Sequence, residues 1–497
     1  MNRKRHFVRT CKKHGLNVQP AALQSMIEEV NDEESLLRTL TWINQNLPRG
    51  KPKIVSPELW QQAFEACIAP PFTSKKGSVV DSKFRPSGGE NKFVEYVSAF
   101  ETPRLMFDSL RQQFYFSDKQ KPPLFGTAKD KTDMMTQRYI MLHQRVVRQI
   151  STPLTTIDLL LGSSSSRRSN AKTHVLLGML HHHPEGLELE DMTGTIVLKG
   201  LDQANIQKSG FYSEGTIVMV NGHYDSGYFM VERLGFPMLE PKAETAPFLP
   251  PRKRFAGRNS DQSLAIYSMS NIELDDPEKR QTFEELIDQL KDEPREALLV
   301  LFGNFSTEAL PLSGALDELA GMLEEMPPNI SVVVLPGPRD TPSQCWPLPA
   351  MKSHSMSRLP RVQLASNPCK VRYADKEVVL VRKDLIRDHL HSQVLDISGS
   401  KNSLASRVVN TTLSQGHIMP QTPIYWNYDH AMHLYPLPEL IVMALDDGED
   451  PVDCSRSNCH VVSPGQHWAK VSLSRKGETR VHFSQDELEE SDDDLKS

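Results

Sequence analysis

No apolar run in this chain approaches the roughly 20 residues that a membrane-spanning helix needs, so a bundle of membrane helices is excluded. The opening Met1-Asn-Arg-Lys-Arg-His6 is positively charged with no apolar stretch behind it, and no secretory leader is expected. Cysteine is sparse and scattered, at Cys11, Cys67, Cys345, Cys369, Cys454 and Cys459, with no Cys-x-x-Cys. That excludes a disulfide framework and points to reduced thiols in cytosol or nucleus. Cys454, Cys459 and His460 are close enough for half a zinc site, but no second pair follows at finger spacing, so buried or solvated side chains are the better reading. A surplus of positive charge is also missing. The net charge of −6 argues against wholesale wrapping of nucleic acid, though it leaves room for a local basic patch.

What the chain does have is length and proline. Its 497 residues exceed one ordinary core, so two or three domains are expected. Its 35 prolines imply many loops and a surface suited to docking. Residues 1–70 read as a small helical domain. Ala21, Leu23, Met26, Ile27 and Val30 recur at helical spacing, as do Leu36, Leu37, Leu40, Ile43 and Leu47, and Leu59, Phe64 and Ile68 continue the pattern. Turn formers and charges over 71–92 make a flexible linker. Within 93–250 a helix is predicted at about 128–149, with Met135, Tyr139, Leu142 and Val146 on one face. Its other face carries Arg138, Arg145 and Arg148, which suit either phosphate or plain solvation. The loop Gly162–Arg168 joins four serines to two arginines.

Between 172 and 240 the period shortens. Leu187-Glu-Leu-Glu-Asp-Met-Thr-Gly194-Thr and Gly215-Thr-Ile-Val-Met-Val220 are short strands between glycine turns, the pattern of an OB-type barrel. His181-His182-His183 is placed in the β-turn before Pro184. Single-strand binding would need aromatics interleaved with basic residues. The candidates Tyr212, Tyr224, Tyr228 and Phe229, with Lys199, Lys208 and Arg233, are few and dispersed, so a barrel used for protein packing is favoured over a nucleic-acid module. Residues 251–485 alternate strands and helices, as layered α/β domains do. The acidic run in 486–497 cannot bury a core and reads as a disordered tail.

Three segments in the α/β part carry the functional signal. Ala297-Leu-Leu-Val-Leu-Phe-Gly303-Asn304 and Ser331-Val-Val-Val-Leu-Pro-Gly337-Pro338-Arg339-Asp340 are apolar runs ending in glycine turns, and Ile441-Val-Met-Ala444-Leu445-Asp446-Asp447 is a third run. In open α/β sheets chemistry sits just beyond the strands' carboxyl ends. The frame resembles calcineurin-like phosphoesterases, which place aspartates and histidines at such turns to hold two divalent cations. Here Ser268 and Ser270, give or take one residue, stand where the first Asp-x-His is expected. Asn304 is neutral and cannot bridge two mutually repelling cations. Pro338 and Arg339 replace Asn and His, and a guanidinium opposes a metal. Ala444 and Leu445 replace the last histidines, and His417 is left as a stray ligand or a core histidine. Losses at every turn predict no hydrolysis, no metal and no cofactor. An active metallophosphoesterase is the remote alternative.

Local strings sharpen the resemblance. Leu124-Phe-Gly-Thr127, Gln137-Arg-Tyr-x-x-Leu-His-Gln-Arg145, Ser366-Asn-Pro-Cys-Lys-Val-Arg-Tyr373, Thr412-Leu-Ser-Gln-Gly-His417, Pro423-Ile-Tyr-Trp-Asn-Tyr-Asp429 and Tyr435-Pro-Leu-Pro-Glu-Leu440 resemble the non-catalytic B-subunits of replicative DNA polymerases, epsilon type. The resemblance implies a helical N-terminal domain and an OB-fold set against an inactive phosphodiesterase-like α/β sandwich. It also implies a nuclear hetero-oligomer whose partner is the C-terminal region of the polymerase catalytic subunit, with GINS and the replicative helicase reached through the N-terminal domain and DNA met only weakly or indirectly. Trp426, Tyr428 and Tyr435, interleaved with prolines, form a candidate interface, since exposed aromatics are typical hot spots. A buried corner of the α/β domain is the competing reading.

Overall fold

The computed structural model describes residues 3–13, 15–29, 39–40, 43, 54–57, 59–60, 63, 94–117, 121–163, 172–250, 263–308, 313–397, 399–419, 423–445, 450–474 and 479–484. The linker, the serine loop, Asp446, Asp447 and the acidic tail lie outside the described residues, as do Val30, Leu36, Leu37, Leu47, Phe64 and Ile68. The chain divides into two compact units, Met1–Ser87 and Gly88–Ser497.

In the first unit, helices Arg3–Lys13 and Pro20–Glu29 flank the two-residue strand Asn17–Val18, which pairs in parallel with Ile54–Val55. Pro20 opens its helix, where a missing N–H costs nothing. Phe7, Leu16, Leu23, Met26, Leu40, Ile43 and Trp60 are buried in one cluster. The apolar face of the second helix runs through buried Ala22; Ala21 is exposed.

Among the described residues, the layered part of the second unit contains two six-stranded sheets. The first runs Val362–Leu364, Ile330–Leu335, Ala297–Phe302, Leu264–Ser270, Trp468–Leu473 and Arg480–Phe483, with its first four strands parallel. The second runs Val452–Arg456, Cys459–Ser463, Leu440–Ala444, Lys376–Arg382, Cys369–Tyr373 and Glu95–Ser98. Strands buried on both sides need apolar residues at every position, and Ala297–Phe302 is buried throughout. Ile266, Val300, Val333, Leu380 and Val442 contribute to one apolar cluster shared by both sheets. Helices Pro277–Lys291 and Ser313–Glu324 add Phe283, Leu286 and Leu319 to a second cluster, and helix Leu404–Gln415 adds Val408 and Leu413 to a third.

Strands between His174 and Gly235 close into a barrel. Ile217–Asp225 pairs with both His174–His183 and Tyr228–Gly235, and one parallel pairing, Phe229↔Leu198, completes the ring. The three histidines end the first barrel strand, and the turn follows at Pro184 and Glu185. The boundary expected at 250 does not separate barrel from layers. Glu95–Ser98, grouped with the barrel by sequence order, is an edge strand of the second sheet, where Ser98 pairs with Cys369. Tyr212–Ser213 pairs with Gln393–Leu395 of the layered part.

Helix Ala128–Gln149 starts on a capping box: the Thr127 hydroxyl accepts from the Asp130 N–H, and the Asp130 carboxylate accepts from the Thr127 N–H at 2.7 Å. Leu142 and Val146 pack on the barrel residues Leu177, Met179 and Ile217. The opposite face is not solvated. Arg138 and Arg145 are buried against the layered part, which corrects both the phosphate and the solvent readings of these arginines.

Candidate functional site

The carboxyl ends of the strands converge on a polar crevice. Ser268 and Ser270 do not form it. Ser268 is wholly buried within its strand, its hydroxyl without a hydrogen-bond partner among the described residues, and Ser270 donates to the Gly465 carbonyl at 3.3 Å. The first strand instead delivers Asn271, one residue further on, in the left-handed region at φ 52. Asparagine tolerates that conformation better than most residues. Its Oδ1 accepts from Asn304 Nδ2 at 3.3 Å and from Arg382 Nη2 at 3.0 Å.

The two glycine turns touch. A Cβ on Gly303 would lie 1.7 Å from Asp340 Oδ2, and one on Gly337 would lie 2.6 Å from Asn304 Oδ1. These glycines therefore serve close approach of loops. Asp340 closes the pair by accepting from the N–H groups of Gly337 at 2.7 Å and Phe305 at 3.1 Å. Burial raises the Asp340 carboxyl above its ordinary range, and the two N–H donors oppose that rise. Asn304 Oδ1 accepts the Arg339 N–H at 3.0 Å. Pro338 is half-buried in the turn. Ala444 and Leu445 are buried in apolar clusters, and the Ala444 carbonyl accepts from the Lys383 N–H.

The cation in this crevice is not the expected one. The Arg339 guanidinium pairs with Glu273, which also holds Lys279, and its side chain remains 42% exposed. Arg382, at the end of Lys376–Arg382, is 1% exposed and occupies the crevice, with Nη1 on Asp384 Oδ1 at 2.6 Å. Among the described residues, the strand ends thus present two neutral carboxamides, the backbone-bound carboxylate of Asp340, the Asp384 carboxylate and a permanent cation. That donor set does not fit a pair of divalent metals.

A second polar cluster joins the long helix to the 3-10 turn Trp426–Met432. Arg138 grips both oxygens of Asp429, the shortest contact being 2.5 Å, and both side chains are about 5% exposed. His417 Nε2 meets Asp429 Oδ1 at 3.0 Å, and His433 Nε2 meets Oδ2 at 3.1 Å. The Met419 N–H donates to His417 Nδ1, so Nε2 carries the proton and His417 is neutral. These two histidines and Asp429 have the spacing of a metal site, but the guanidinium already neutralises the carboxylate. The remaining arginines are also internal. Arg145 donates to the Ser414 carbonyl, and Arg148 pairs with Glu240 at 2.6 Å.

Tyr428 and Tyr435, expected at an interface, are buried. Tyr428 donates to the Pro122 carbonyl at 2.9 Å and meets the Phe100 ring edge-on, while Tyr435 donates to Glu240 at 2.5 Å. Trp426 borders an open groove of about 620 Å³, which Phe125, Met135, Met179 and Ile424 also line. The barrel aromatics divide similarly. Tyr212 and Phe229 are fully buried, whereas Tyr228 is half-buried beneath Lys199, whose Nζ lies 5.2 Å from the ring centroid.

Residues 128–238 match the family described as DNA polymerase epsilon subunit 2-like, OB-fold domain, and residues 266–447 match the family of B-subunits of DNA polymerases alpha and epsilon. A bovine protein named DNA polymerase epsilon subunit 2 is 31% identical over 424 residues, covering 74% of this chain and 78% of the relative. The chain belongs to the B-subunit family of DNA polymerase epsilon. Its mouse and human members are each 29% identical over 423 residues, with the same two coverages. The barrel is therefore the OB-fold of an epsilon B-subunit, and the strand-end crevice lies within the segment that alpha and epsilon B-subunits share.

Acid should loosen this protein. Burial, then the charge of Arg138, pushes His417 down to about 3, and burial pushes His389 down to about 4. Burial alone would raise Asp429, but Arg138 and then His417 outweigh it and hold the carboxyl well below its ordinary range. A histidine depressed in the folded state binds more protons when unfolded, so its stabilising contribution is complete above the ordinary value of 6.5. That contribution shrinks as pH falls toward the folded values, by up to about 1.4 kcal/mol per pH unit for each group. Thermal midpoints of the isolated chain are expected to fall steadily from about pH 6.5 to pH 4.5, and His389→Gln should flatten the slope. A midpoint level across that window would contradict the assignment.

Proposed function

We propose that this chain is the non-catalytic accessory subunit of a nuclear DNA polymerase epsilon complex, acting as a scaffold for the C-terminal region of the catalytic subunit. The carrying observation is the buried Arg382 guanidinium, which occupies the strand-end crevice where, among the described residues, no turn offers a metal-binding ligand set. With hydrolysis removed, so large a surface serves partner binding. The groove beside Trp426 supports this use: it joins barrel, long helix and layered part, and Phe125 on its rim is 77% exposed. Such exposed apolar surface marks interaction sites. Contact with GINS and the helicase belongs, on this reading, to the helical unit within 1–70.

Co-expression with the catalytic subunit's C-terminal region tests the scaffold. Phe125→Ala and Trp426→Ala are expected to weaken capture, each by about 2 kcal/mol or roughly thirtyfold if they are anchors. Capture by the parent should survive moderate salt, unlike phosphate-driven DNA binding. A complex that dissolves at modest salt, beside tight and specific single-strand binding, would replace the scaffold with a nucleic-acid module.

A further inference from the structure

We propose that Arg382 is a resident cation: its guanidinium holds the strand-end crevice closed to divalent metal, and removing that charge opens the crevice to one. The inference rests on the non-catalytic reading above. Three observations carry it. Arg382 binds oxygen atoms from two different loops, Asn271 Oδ1 at 3.0 Å and Asp384 Oδ1 at 2.6 Å. Its Nε is buried with no hydrogen-bond partner among the described residues. The surrounding acceptors are hard oxygens, two carboxamides and the carboxylates Asp340 and Asp384, which suit Mn2+ or Mg2+ when no cation competes.

Arg339 has no such role, because its guanidinium turns away to Glu273. Asp384 is also held by Arg387 at 2.5 Å, and Asp340 by backbone N–H groups, so both keep partners when Arg382 is truncated. The cradle can therefore outlast the loss of its cation. Asn271 and Asn304 are the neutral members, and an Asn304→Asp change would add the anionic oxygen that a divalent ion prefers.

The test is a two-by-two set in the full chain: parent, Asn304→Asp, Arg382→Ala and the double variant, each titrated with Mn2+ alone by electron paramagnetic resonance and by thermal midpoint. Parent and Asn304→Asp should take up no stoichiometric Mn2+ and show no shift in midpoint. Arg382→Ala should melt lower and regain part of the loss with Mn2+, and the double variant should bind one ion more tightly still. Arg382→Lys, which keeps the charge, should bind none. The proposal is overturned if Arg382→Ala and the double variant fold but bind no Mn2+, or if Arg382→Ala aggregates both with and without the metal. It is also overturned if the parent binds Mn2+ in a manner that Asn304→Ala abolishes. Mn2+-stimulated hydrolysis of bis(p-nitrophenyl) phosphate by the parent would instead sink the non-catalytic reading, so the two failures are distinguishable.

Discussion

Asp429→Asn is expected to lower the stability of the chain by roughly 3–5 kcal/mol, the usual cost of breaking one half of a buried ion pair. Arg138 would keep its charge in a position about 6% exposed, with the chelating carboxylate gone. His417 and His433 would each lose their shared acceptor or see it weakened. The arginine comes from the helix that leads into the barrel, and the carboxylate comes from the layered part, 291 residues later. The damage should therefore appear at that junction first, as easier proteolysis near Pro122 and Pro123, whose carbonyls receive Tyr428 and Asn427. A cycle with Arg138→Met separates the stranded charge from lost packing, since the double variant removes the charge and should recover much of the loss. Chemical unfolding of all four chains gives the answer; an Asp429→Asn loss below about 1 kcal/mol would contradict the account.

Gly303→Ala should be as harmful, for a steric reason. The added Cβ would sit 1.7 Å from Asp340 Oδ2 and 2.6 Å from the Gly337 nitrogen. Neither neighbour is the free end of a flexible side chain, because Asp340 is pinned by two backbone donors. Both turns must move, at or beyond the upper end of the roughly 1–3 kcal/mol typical of overpacking. Gly321→Ala is the control. It lies in the helix Ser313–Glu324 with open space around its Cβ direction, and it should gain up to about 1 kcal/mol from helix propensity. Soluble yield and thermal midpoint report both. Equal behaviour of the two variants would remove the close-approach argument.

Local signals made much of this molecule legible. Continuous apolar runs stopped by Gly303 and Gly337 show buried parallel strands and their turns, and the helix at Ala128–Gln149 follows from its period and cap. Short strands between glycine turns show the barrel. What stayed hidden depends on pairs far apart in sequence. Arg138 and Asp429 carry no mutual mark, and on a helical wheel Arg138, Arg145 and Arg148 look like a wet face. Arg382 follows four apolar residues of its strand and resembles an ordinary strand exit. Asn271 lies one position beyond the Asp-x-His register read at Ser268 and Ser270, because the left-handed turn falls just after the strand. Tyr428 and Tyr435 show the same limit: aromatic composition does not reveal which rings find a carbonyl or a carboxylate inside the fold.

The edge strand Glu95–Ser98 also constrains how the chain can be made. It is sewn to Cys369–Tyr373, and the Ala99 N–H bonds to Ser366 Oγ, 267 residues later. At about 5–20 residues per second of synthesis, these early residues leave the ribosome well before their partner exists. The intervening barrel can close during that wait, because its strands all lie between His174 and Gly235. The second sheet is then completed last, by a strand translated first. A shortened gene that starts after the barrel would leave Cys369–Tyr373 as a bare edge, and unpaired edges invite aggregation. Expression of the layered part should accordingly include residue 94 onward, or supply Glu95–Ser98 in trans.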